Sequence, residues 1–214
     1  MTATLYCFGE SGHSYKAALA LTLTGCDWAP RFVDFFNGET RSPAFRALNP
    51  MGECPVLVDG DEVLTQSGNI LYHIAARTGL LVGETPAEQK EVWRWVLWDN
   101  HKLSSQAGTC RFLMNFLPPE KRPQEVIAFT QGRLRAAYGV LNDQLATRDW
   151  VAGTRRISAA DLSCCGYLYY PEPFGFDRRD WPHIDRWLGR ISALPGWKAP
   201  YDLMPGNPAA RVAD

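Results

Sequence analysis

The chain has 214 residues, 46% hydrophobic and 21% charged, with 22 Lys and Arg against 23 Asp and Glu for a formal net charge of −1. That balance excludes a nucleic-acid binder, which needs a concentrated basic surface; the densest basic region, Arg133, Arg135, Arg155 and Arg156, reads as a solvated helix face and a turn. The length allows one large core or two smaller ones. No stretch approaches the roughly 18 uninterrupted apolar residues of a membrane span. Thr4-Leu5-Tyr6 goes straight into a strand pattern, so no signal peptide is expected. The 6 cysteines (Cys7, Cys26, Cys54, Cys110, Cys164, Cys165) form no C-x-x-C pair and no metal-ligand spacing with the 4 histidines. Reduced thiols in the cytoplasm, with no metal site, are the expectation.

In chain order, residues 3–8 form a short strand-prone run closed by Gly9. Tyr15 to Leu23 is rich in Ala and Leu and favours a helix, with Gly25 as its stop. Arg31 to Phe35 reads as a second strand, and Pro43 to Leu48 as a short helix broken by Asn49-Pro50. Val56-Leu57-Val58, the turn pair Asp59-Gly60 and Glu62-Val63-Leu64 make a hairpin. A helix from Ile70 through Thr78, ended at Gly79, completes a small β-α-β-α-β-β-α domain.

After Pro86 the texture turns wholly helical. Val92, Trp93, Val96, Leu97 and Leu103 recur at helical spacing, and Trp93, Trp95 and Trp98 suit core or dimer contact. A second helix runs from about Pro123 to Leu145. Ser158-Ala159-Ala160-Asp161 opens a third as a capping box, Pro182-His183-Ile184 a fourth, and Pro195-Gly196-Trp197 a short last one. The expected domains are 1–81 and 88–214, joined by a linker at 82–87, with a loose tail after Pro205.

Two turns stand out. Asn49-Pro50-Met51-Gly52-Glu53-Cys54-Pro55 delivers a proline to the mouth of a strand, and Thr65-Gln66-Ser67-Gly68 delivers a serine to the start of a helix. With Phe45 to Pro50 before them, and Trp150-Val151-Ala152-Gly153 and Ser158-x-x-Asp161 after, these residues resemble the cytosolic glutathione S-transferases over about residues 3–202. Ser11-Gly12-His13-Ser14 is similar to the serine-type classes, including zeta and theta, although His13 stands where zeta members usually carry cysteine. The resemblance implies a thioredoxin-like α/β N-terminal domain on an all-α C-terminal domain. It also implies glutathione as co-substrate, a small electrophile as second substrate and a homodimer. The function implied is attack of glutathione thiolate on that electrophile; reduction of disulfides or peroxides at the same site, and a binding protein without turnover, are the alternatives.

Site roles follow from the same resemblance. A free thiol has a pKa near ~8.5, and lowering it by roughly two units needs about 2.7 kcal/mol of preferential anion stabilisation. Ser11, between the first strand and first helix, is the expected hydroxyl donor; Ser14 and a purely capping role are the alternatives, and Tyr6 reads as core. Pro55 is expected to be cis, with the Cys54 backbone pairing with the glutathione cysteine; the Cys54 thiol is either reactive or a small apolar filler. Ser67 would hold the γ-glutamyl carboxylate, Gln66 would reach its amino end, and Asp99 from a partner subunit would help to bind that ammonium. Asn100, His101, Arg111, Tyr169 and Tyr170 are candidates for the electrophile pocket.

Overall fold

Alternation along Ala3–Cys7 (β1) sets the centre of the first unit: Ala3, Leu5 and Cys7 are buried, while Thr4 and Tyr6 are half-buried. In the computed structural model, which describes residues 2–206, β1 lies inside a four-stranded sheet of order β2-β1-β3-β4. It pairs parallel with Trp28–Phe32 (β2) and antiparallel with Val56–Asp59 (β3), and β3 continues into Glu62–Thr65 (β4) through the expected hairpin. The second strand starts three residues earlier than the expected Arg31, because Ala3 pairs with Trp28 and the register runs on to Cys7 with Phe32. Pro30 is tolerated within it since β2 is an edge strand and one side of its backbone needs no ladder.

Three helices cover this sheet. Gly12–Leu23 (α1) is buried nearly all round, which suits a helix apolar on every face. Pro43–Leu48 (α2) is capped by the Ser42 hydroxyl, which accepts from the Phe45 amide, and Ser67–Thr78 (α3) packs against α1.

The second unit is helical: Pro86–Trp98 (α4), Ser104–Asn115 (α5), Gln124–Leu145 (α6), Ala159–Cys165 (α7) and Pro182–Ser192 (α8). Residues 81–194 form this unit, and 195–206 return to the first, so the expected assignment of everything after 88 to one domain ends at Leu194. Tyr15 donates to the Lys198 carbonyl at 2.8 Å, and the Gly9 amide to the Pro205 carbonyl at 2.6 Å. The short last helix is Pro200–Leu203 (α9); residues 195–197 instead form a turn with Gly196 at φ 86. The remainder of the expected loose tail, from Asn207 onward, lies outside the described residues.

One helix escaped the pattern altogether. A π-helical turn at Asp99–Leu103 follows α4, and α5 then begins on Ser104-Ser105, which carries no apolar periodicity. Packing makes this helix: Ala107, Cys110 and Arg111 are buried, and a Cβ at Gly108 would sit 2.8 Å from the Tyr167 hydroxyl. Among the described residues no helix is long and apolar enough to cross a membrane.

Candidate active site

Ser11 is the N-cap of α1. Its backbone is extended at φ −87, ψ 107, and its Oγ accepts the Ser14 amide at 3.1 Å. A hydroxyl that accepts from the helix keeps its own proton to donate outward, at the end where the helix dipole favours an anion. Ser14 differs: its side chain is fully buried, and its Oγ meets no partner among the described residues. Tyr6 packs against Val33, Phe45 and Val56, with the Arg31 guanidinium 5.6 Å above its ring, so it serves the core as expected.

The turn before β3 is built by Asn49, which is 1% exposed. Its Nδ2 donates to the Glu53 carbonyl at 2.8 Å and its Oδ1 accepts the Met51 amide at 3.1 Å. Gly52 adopts φ 66 with the Thr40 carbonyl 3.0 Å from where a Cβ would stand, so a side chain is disfavoured twice over. The Cys54–Pro55 bond is cis. Neither the amide nor the carbonyl of Cys54 makes a hydrogen bond among the described residues. The thiol packs against the Val33–Phe45–Val56 cluster; burial, then Cys7 and Glu39, push its pKa up, which favours the filler reading over a reactive thiolate. Burial likewise pushes Cys7 up to about 12.

Gln66 and Ser67 open α3 in an unusual way. Gln66 is held at φ 66, ψ 119, a sparsely populated region for a residue with a side chain, and gives the helix no side-chain cap. Its Nε2 donates to Oε2 of Glu53 at 2.9 Å and reaches Sδ of Met51 at 3.2 Å, which turns Oε1 into the end available to an ammonium. Ser67, 4% exposed, has its Oγ 3.1 Å from Nδ1 of His13. The structure thus links the starts of α1 and α3, and ties the start of α3 to the turn before Cys54. Glu53 and His13 were absent from the expected set of ligand contacts. Their partners lie 13 and 54 residues away in sequence, beyond any local spacing.

Asp99 departs from expectation. It is fully buried in the π-helical turn, with Oδ1 accepting from the Ser104 hydroxyl at 2.7 Å and Oδ2 from the Ser163 hydroxyl at 2.6 Å. A carboxylate committed on both oxygens inside its own subunit is not offered to another subunit's ligand. Arg111 is also internal, donating to Glu172 at 2.7 Å and stacked 3.9 Å from the Tyr170 ring, while the Tyr169 hydroxyl donates to the Leu188 carbonyl at 2.7 Å. Ser158 and Asp161 form the expected capping box.

With this geometry in place, the comparisons are consistent. The glutathione S-transferase N-terminal domain profile matches residues 1–76 and the C-terminal domain profile residues 109–195. A maleylacetoacetate isomerase from Pseudomonas aeruginosa is 32% identical over 216 residues, covering 96% of this chain and 99% of the relative. The disulfide-bond oxidoreductase YfcG from Escherichia coli is 26% identical over 195 residues, covering 88% and 89%. A crystal structure of a glutathione S-transferase from Pseudomonas fluorescens superposes with a TM-score of 0.87 at 27% identity, covering 94% of this chain and 100% of that one. The chain belongs to the glutathione S-transferase family, with its thioredoxin-like and all-helical parts.

Proposed function

We propose that the chain is a glutathione transferase that activates bound glutathione as a thiolate and delivers it to a small electrophile. The observation that carries this reading is the Ser11 hydroxyl, occupied as an acceptor by the Ser14 amide and left with a proton to donate at the start of α1. One such charge-assisted hydrogen bond plus the helix end can supply most of the roughly 2.7 kcal/mol that a two-unit thiol shift requires. The unpaired amide and carbonyl of Cys54 suit strand-like pairing with the cysteine of a peptide. Ser67 and the first amides of α3 suit a carboxylate, while Oε1 of Gln66 and the charge of Glu53 suit the neighbouring ammonium. The protein would contribute proximity and anion stabilisation, with no covalent enzyme intermediate.

A homodimer in the cytoplasm completes the proposal. Leu97 is 71% exposed on α4, and Phe129 and Val140 are 65% and 50% exposed on α6, apolar surface that a second copy would cover. All six cysteines are free thiols, in keeping with a reducing compartment. A second reading, glutathione-dependent disulfide reduction at the same site, is favoured by the likeness to the Escherichia coli oxidoreductase; it should survive replacement of every cysteine.

The deciding experiment is the thiolate absorbance of glutathione bound to wild type and to Ser11→Ala, titrated with pH. A depressed thiol pKa in wild type that is lost in a still-binding variant supports Ser11 as activator. An unshifted thiol in both removes the transferase reading in favour of a binding protein.

A further inference from the structure

Two helix starts, far apart in sequence, are joined by a side-chain contact. His13 is the second residue of α1 and Ser67 the first of α3, and Nδ1 of one lies 3.1 Å from Oγ of the other. Both backbones are fixed independently: α1 by the Ser11 cap, and α3 by Gln66 at φ 66. We infer that His13 is a positioning residue, which donates from Nδ1 to the Ser67 oxygen and so turns the Ser67 hydroxyl proton toward the γ-glutamyl carboxylate of glutathione. This rests on the glutathione reading above and deepens it.

Donors and acceptors set the direction of this contact. A neutral imidazole has one N–H and one bare nitrogen. If Nδ1 were bare, Ser67 would spend its proton on the ring and present only lone pairs to an arriving carboxylate. With the proton on Nδ1, Ser67 accepts from the ring and its own proton is free for the anion. A bound carboxylate therefore selects the Nδ1–H tautomer, and the order His13 to Ser67 to ligand becomes a directed chain. Burial, then the Lys16 cation, push the His13 pKa down to about 3, so the ring stays neutral through any working range and acts by tautomer without a change of charge.

The test pairs variants with a truncated ligand. Dissociation constants are measured for glutathione and for its analogue lacking the γ-glutamyl α-carboxylate. His13→Leu should weaken glutathione about tenfold and the analogue by no more than about twofold. His13→Asn places an amide N–H near the position of Nδ1 and should restore most of the loss, whereas His13→Gln, which places it further out, should not. In a Ser67→Ala background, His13→Leu should have no further effect. An equal loss for both ligands, or a full loss in the Ser67→Ala background, overturns the inference, as does unchanged glutathione binding in His13→Leu. Should His13→Leu not fold, the His13→Gln and His13→Asn pair carries the same comparison. A wild type that binds neither ligand overturns the glutathione reading itself, and the inference with it.

Discussion

The helices α7 and α3 each open on a serine, in opposite ways. At α7 the Ser158 amide and hydroxyl both donate to Oδ2 of Asp161, at 2.9 and 2.8 Å, while Oδ1 accepts from the Val151 amide and the Trp187 indole at 2.8 and 2.9 Å. Burial pushes the Asp161 carboxyl up, and these four donors work against that rise. At α3 no side chain caps the helix, the residue before it is held at a positive φ, and the Ser67 oxygen meets a histidine from another helix. A helix start that is satisfied internally contributes to folding. On the proposed glutathione reading, one left open on a strained residue keeps its amides for an anion.

The sharpest way to break that contrast is Asp161→Ala. It would leave the Val151 and Ser158 amides, the Ser158 hydroxyl and the Trp187 indole without an acceptor. At ~1–3 kcal/mol for each stranded buried donor, a loss of at least about 4 kcal/mol is expected in urea unfolding, a large part of a typical ~5–15 kcal/mol. A variant with the wild-type midpoint would show that α7 does not depend on its box. Ser11→Ala should do the reverse: kcat/KM falls about a hundredfold as the thiol pKa returns toward ~8.5, while stability drops by only about 1 kcal/mol for the lost cap. If stability falls and activity per folded molecule does not, Ser11 belongs with Ser158 and not with the open site.

What was legible follows the same division. The alternation of Ala3, Leu5 and Cys7, the Asp59-Gly60 hairpin and the Ser158-x-x-Asp161 box are local signals, and each is where its spacing put it. The turn ending in cis Pro55 and the serine opening α3 were likewise readable as motifs. Packing decided the rest. The second strand shifted because its register is set by β1, and α5 has no apolar rhythm of its own at its start. Asp99 sits on a helix as any surface acid might, and only the arrival of Ser163, 64 residues later, shows that it is interior. His13 and Ser67 are invisible as a pair for the same reason.

Smaller effects are expected within α3 alone. Gln66→Gly removes the side chain that disfavours φ 66 and should raise stability by about 1 kcal/mol while weakening glutathione binding, since the amide held by Glu53 goes with it. A gain in stability with no loss of affinity would sever strain from function. Further along the helix two side chains meet an acid from the sheet: His73 meets Oδ2 of Asp59 at 2.9 Å, and Arg77 binds the same oxygen. Burial pushes the Asp59 carboxyl up, but the hydrogen bonds from His73 and Arg77 outweigh it and hold the group below its ordinary value of 3.8. A carboxyl depressed in the folded state contributes stability that is present above the unfolded pKa and lost as pH falls through the folded one. Asp59→Asn should therefore lower stability by about 0.5–1 kcal/mol at neutral pH and by progressively less as the solution is acidified below about 4, with glutathione affinity unaltered. Parallel losses of stability in wild type and variant across that acid range would show that the Asp59 ion pairs leave folding unaffected, and that α3 is anchored by its buried apolar face alone.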